Sequence, residues 1–169
     1  MSEFIKRIFL VLLCLVLIIS FSSCNSDLLS KSKFQDINFN DAQKVQLSLK
    51  GNIYNLYLSF NENNDFSLSF APEISDALKN VKVTVSGELA IIENDGLIYK
   101  KSINEFNNDF FPKIIYLFFK NTDFNKELFN YDKEENSMSL KSKVLEKTVV
   151  FDLRLSTDNN EQIYLLEIR

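Results

Sequence analysis

Carboxylates are the side chains of this 169-residue chain that cluster closely enough in sequence to suggest acid–base work. Asp132 is followed by Glu134 and Glu135, and Asp158 by Glu161. Two carboxyls can share the roles of acid and base or nucleophile, but such pairs come from separate elements held apart in a cleft. Both clusters fall in turn-like polar stretches, where a solvated charged loop is the simpler expectation. The run Asp158-Asn159-Asn160-Glu161 offers oxygen ligands for calcium, yet it lacks the spacing and the glycine of an EF-hand loop. Histidine is absent altogether. That removes Ser-His-Asp and Cys-His nucleophiles, His-based metal sites and the commonest general base. Tryptophan is absent too, and three glycines are too few for a phosphate-cradling loop. With 19 basic against 23 acidic side chains the net charge is −4, which argues against nucleic acid as a partner. No catalytic residue, metal or cofactor is expected, and the protein reads as a non-enzyme.

The two cysteines point elsewhere. Lys6 and Arg7 make a short positive region, and Ile8 to Ile19 is an unbroken apolar run. A membrane-spanning helix needs ~20 apolar residues, so this run fits the core of a signal peptide instead. The small pair Ser22-Ser23 then precedes Cys24. Phe21-Ser22-Ser23-Cys24 resembles the lipobox of bacterial lipoproteins. The resemblance covers residues 1 to 24, with Phe21 where leucine is commoner. It implies cleavage before Cys24 and a diacylglyceryl group on its thiol. Cys14 lies inside the apolar run behind the bulky Leu13 and is not the target. The expected organisation is a signal peptide over 1–23, a lipidated flexible tether over 24–43 and a single α+β domain over 44–169. Cys24 would place the protein on the extracytoplasmic face of the cell membrane, its partner there being the bilayer itself. Two acyl chains, at ~0.8 kcal/mol per buried methylene, make such an anchor durable. Once Cys14 is removed and Cys24 acylated, no disulfide is left, and the fold rests on its apolar core.

The elements that must build that core alternate with period two. Val45, Leu47 and Leu49 share a face. After Gly51-Asn52 so do Tyr54, Leu56, Leu58 and Phe60. The turn 61–65 leads to Phe66, Leu68 and Phe70, set against Ser67 and Ser69. Pro72 with Ile74, Ala77 and Leu78 predicts a short helix of two turns or a structured crossover. Valines 81, 83 and 85 restart a strand, and Asn94-Asp95-Gly96 marks a hairpin. Ser102 and Glu105 have capping-box spacing. Pro112 disfavours a helix running through it. The spacing therefore predicts a helix from 110–113 to about 121, capped by Asp109 and apolar almost all round. Strands follow over 137–144, 149–155 and 163–168. The fold class expected is α+β: a curved antiparallel sheet of about eight strands, unclosed-barrel-like, covering one or two short helices.

The remaining signal is aromatic. Without Phe4, Phe9 and Phe21 of the expected signal peptide, thirteen phenylalanines and six tyrosines can pack a core, or line an apolar cavity between a curved sheet and a helical plug. The order of elements, from Phe66-Ser67-Leu68-Ser69-Phe70 into Pro72 and on to Asn94-Asp95-Gly96-Leu97, resembles the periplasmic lipoprotein-carrier superfamily. It is also similar to small lipoproteins of low-GC Gram-positive bacteria. The resemblance spans roughly 44 to 121 and lacks the tryptophan often found on carrier strands. It implies an unclosed barrel that holds acyl chains. The residues expected to line the cavity are Phe66, Leu68, Phe70, Phe111, Ile115 and Phe118. Two readings stand: a lipoprotein that shelters a hydrophobic ligand, or an envelope adaptor with a packed interior that binds another protein through its sheet.

Overall fold

A computed structural model describes residues 31, 33–72, 78–156 and 161–169. The chain divides into two units, Met1–Gln35 and Asp36–Arg169. In the first, the Phe34 N–H donates to the Lys31 carbonyl at 3.2 Å. The expected signal segment and Cys24 lie outside the described residues, as do 73–77 of the expected short helix and 157–160 of the second carboxylate cluster.

The second unit is mostly β. Six strands follow one another: β1 (Gln43–Leu49), β2 (Asn52–Phe60), β3 (Phe66–Phe70), β4 (Lys82–Ser86), β5 (Leu89–Asn94) and β6 (Leu97–Ser102). One helix, α1 (Phe111–Asn121), separates them from β7 (Asn130–Asp132), β8 (Ser137–Val144), β9 (Lys147–Leu155) and β10 (Gln162–Ile168). All ten strands join one open sheet in the order β6-β5-β4-β3-β2-β1-β10-β9-β8-β7. Each neighbour pair is antiparallel except β1 with β10, which run parallel with Leu47 opposite Leu166. The chain meanders outward from the centre to the β6 edge, passes through 103–129, and meanders back from the β7 edge to close against β1.

Tight turns set the registers. Lys50-Gly51, Asp95-Gly96 and Leu145-Glu146 each join two strands through a pair of residues with positive φ. Such pairs match the right-handed twist of a hairpin. At Gly51 (φ +80°) and Gly96 (φ +83°) the missing Cβ makes this conformation easy. Leu145 (φ +48°) and Glu146 (φ +67°) have no such relief, so that turn is strained.

One face of the sheet is apolar. Val45, Leu47, Leu56, Leu58, Phe66, Leu68, Val83, Val85, Phe151, Leu153 and Leu166 are all buried on it. The helix lies against this face, which its composition requires, since Ile114, Ile115, Tyr116, Phe118 and Phe119 are buried as well. Tyr116 packs on Phe66 of β3 with ring centroids 6.0 Å apart, and its hydroxyl donates to the Gly87 carbonyl at 3.0 Å. Phe118 meets Phe151 of β9 at 6.3 Å. Truncating a buried phenylalanine of this kind costs about 3–5 kcal/mol.

Several expectations are corrected. The strands number ten rather than about eight, and the sheet is mixed because the first and last strands pair in parallel. Among the described residues there is one α-helix, so the class is mostly β rather than evenly α+β. Within the stretch 24–43 expected as a tether, Asp36 onward groups with the second unit, and Phe39 is buried there. Ser102 and Glu105 frame only a single 3-10 turn, Ile103–Glu105, with no side-chain cap. Asp109 does not cap α1, whose cap position is Phe110. The Asp109 carboxylate is held instead by Lys147 of β9 at 2.8 Å.

Candidate functional site

The six residues expected to line a cavity lie on the two surfaces that face each other. Phe66, Leu68 and Phe70 share the inner face of β3, and Phe111, Ile115 and Phe118 come from α1. The structure brings Phe70 and Phe111 into ring contact at 6.2 Å. Phe66 turns to Tyr116 instead, while Phe118 meets Phe119, Phe124 and Phe151. Phe66, Leu68, Ile115 and Phe118 are at most 1% exposed, Phe70 is buried and Phe111 half-buried. Interiors packed in this way hold few voids larger than a water molecule.

Space opens at the margin of this core. A shallow, solvent-open cleft of about 460 Å³ lies between the segment 36–40, the end of β2 and the far end of α1. Its floor is aromatic: Phe39, Phe60, Phe119 and Phe124. Phe39 is the hub, meeting Phe119 edge-on at 4.7 Å and Phe124 at 5.9 Å. Phe60 reaches Phe119 at 6.0 Å, and Phe119 reaches Phe124 at 5.1 Å. The rim is polar, with Asp36, Asn38, Asn40, Asn61 and Glu62. Among the described residues lining the cleft, none is basic.

Local sequence explains how these groups are held. The Phe60 N–H donates to the Phe39 carbonyl at 2.7 Å, which fastens 36–40 to the end of β2. Asn61 folds the next turn: its Oδ1 accepts from the Asn63 and Asp65 N–H groups, each at 3.0 Å. This is the asparagine turn chemistry expected of such a residue. Asn38 does the same for the Asn40 N–H at 2.8 Å. Past the helix, Asn125 accepts from the Glu127 N–H at 3.0 Å and starts a 3-10 turn, Lys126–Leu128. Lys126 then reaches the Asp36 carboxylate at 2.9 Å.

Alternation puts Phe60 on one face with Tyr54, Leu56 and Leu58 but does not connect it with Phe39, Phe119 or Phe124. The available signal was Phe39 itself, a large aromatic in a polar stretch just before β1.

Other clusters do different work. Asp132 accepts from the Glu134 and Glu135 N–H groups at 2.9 and 3.1 Å, and Glu135 pairs with Arg154 at 3.1 Å. The first carboxylate cluster is thus a hydrogen-bonded turn. Among the described residues no group of acidic or thiol side chains could hold a metal ion. A second cleft, about 240 Å³, lies where the Lys50-Gly51 turn, Ile114 and the end of β10 meet. Four of its charged residues pair, Lys147 with Asp109 and Arg169 with Glu167, and Lys50 lines it as well. The Lys147 hydrogen bond and charge hold the Asp109 carboxyl below its usual range. Arg169 does the same to Glu167. On the opposite face of the sheet, burial pushes the Asp152 carboxyl up, against the pull of Arg154.

Comparison with protein-family models, with curated proteins and with solved structures finds no match.

Proposed function

We propose that this chain is a lipid-anchored extracytoplasmic lipoprotein, not an enzyme, that binds a small hydrophobic ligand at the mouth between sheet and helix. The observation that carries the reading is the cleft floored by Phe39, Phe60, Phe119 and Phe124. Its volume of about 460 Å³ lies within the range of ligand sites, and an apolar floor with a few polar rim groups is their usual make-up. The site differs from the interior cavity expected from sequence. Close packing of Phe66, Leu68, Ile115 and Phe118 favours a ligand at the margin rather than in the middle. In this reading the open ten-stranded sheet, with β6 and β7 as free edges, acts as an unclosed barrel and α1 as its plug. The anchor rests on Lys6, Arg7, the apolar run 8–19 and Ser22-Ser23-Cys24.

Two measurements test the proposal. Cells fed a clickable fatty acid should label the wild-type protein and leave a Cys24→Ala variant unlabelled. Full-length protein extracted from its own membranes should carry a small apolar molecule in native mass spectrometry, and Phe124→Ala should lose it. A clean mass, together with no uptake of fluorescent amphiphiles, would favour the adaptor reading, in which the sheet binds another envelope protein.

A further inference from the structure

The chemistry of the cleft rim narrows the ligand. Among the described residues that line it, the ionisable ones are acidic, namely Asp36 and Glu62, and the other polar groups are the neutral amides of Asn38, Asn40 and Asn61. Asp36 already faces Lys126 at 2.9 Å, so Glu62, exposed at the start of the β2–β3 turn, sets the sign of the rim. Four phenylalanines line the same cleft. An anionic head would meet Glu62 and lose water without finding a lysine or arginine among the lining residues. A neutral apolar chain would gain the floor alone.

Resting on the reading of this cleft as the ligand site, we propose that its ligand is a small amphiphile with an apolar chain and a cationic head. The chain lies over Phe39, Phe60, Phe119 and Phe124, and the head sits at Glu62.

The test uses the full-length protein in membranes and three photoreactive probes with the same twelve-carbon chain. Their heads are a trimethylammonium, a sulfate and a neutral maltoside, and crosslinked peptides are mapped by mass spectrometry. The result expected is labelling of the peptides holding Phe60 and Phe119–Phe124 by the ammonium probe well above the sulfate probe. Glu62→Gln should lower that ammonium-to-sulfate ratio about threefold, the scale of one exposed charge pair, and Glu62→Lys should invert it. Comparing ratios between variants cancels each probe's own partition into the bilayer. Glu62 is exposed, so these variants leave the core untouched. Equal labelling of the cleft by all three heads, or a ratio insensitive to residue 62, overturns the cationic head while the hydrophobic-ligand reading stands. Absence of cleft labelling by any probe overturns both.

Discussion

Lys113→Met is the sharpest probe of how the connection that carries the helix is held. Lys113 sits in the first turn of α1 and is 5% exposed. Its ammonium donates to the Phe106 carbonyl at 2.8 Å, to Asn108 Oδ1 at 3.1 Å and to the Asn104 carbonyl at 3.2 Å. One buried cation thus gathers the loop leading into the helix. Methionine keeps the length and most of the apolar stem while removing every donor. A hydrogen bond to a charged group contributes about 1.5–3 kcal/mol, but three such values do not add here. Removing the ammonium also relieves its own desolvation. Asn104 and Asn108 are exposed and can turn to water, whereas Phe106 is half-buried. The net loss is therefore about 2–3 kcal/mol. With a urea m-value of ~1–3 kcal/mol/M for a small protein, the unfolding midpoint should fall by about 1 M or more at unchanged m. Hydrogen exchange should show faster opening over residues 103–110. A midpoint within 0.2 M of wild type, with unchanged exchange, would refute the claim that this lysine organises the connection.

Phe118→Asp and Ile115→Asp place an unpartnered charge at positions that are wholly buried, and each should abolish the cooperative melt seen by circular dichroism. Glu146→Gly relaxes a left-handed position in the β8–β9 turn and should stabilise the protein by about 1 kcal/mol in urea titrations, whereas Gly96→Val should destabilise it. Asp152 carries a pH prediction. Burial raises its carboxyl in the folded state above the ordinary aspartate value of about 3.8, so between the two values the folded protein holds a proton that the unfolded chain has released. Its contribution to stability therefore falls as pH rises through that window and stays lowered above it. Asp152→Asn should accordingly match wild type in strong acid and exceed it in stability near neutrality; a constant offset at every pH would contradict this. Asp109 works in the opposite sense, since its lowered carboxyl favours folding above 3.8 and loses that support as pH falls. Both Asp109 and Lys147 are solvent-facing, so that dependence should fade as salt is added.

Much of the fold was legible because its signals are local. Alternation of Phe66, Leu68 and Phe70 with serines gave β3, and Asp95-Gly96 gave the β5–β6 hairpin, because strand period and turn conformation depend on adjacent residues. The breadth of the apolar surface on 111–121 gave a buried helix for the same reason. Local signals also misled. Asp109 has the right chemistry for a cap, but Lys147, 38 positions away in the sequence, takes its carboxylate. β7 is only three residues long, too short to show a period, and exists because β8 is there to pair with it.

The sequence alone thus determined most of the strands and the one helix, the apolar faces of β1, β2, β3, β4 and β9, the absence of histidine and the expectation of an anchor at Cys24, all of which follow from residue types and near-neighbour spacing. The tertiary structure decided the parallel seam between β1 and β10, which joins residues about 120 positions apart through backbone groups that every residue carries and that leave no mark on composition. It also decided the cleft. Phe39, Phe60 and the pair Phe119 and Phe124 come from three separate stretches of chain, and only the path of 103–129 between the two sheet edges brings their rings within 4.7 to 6.0 Å of one another.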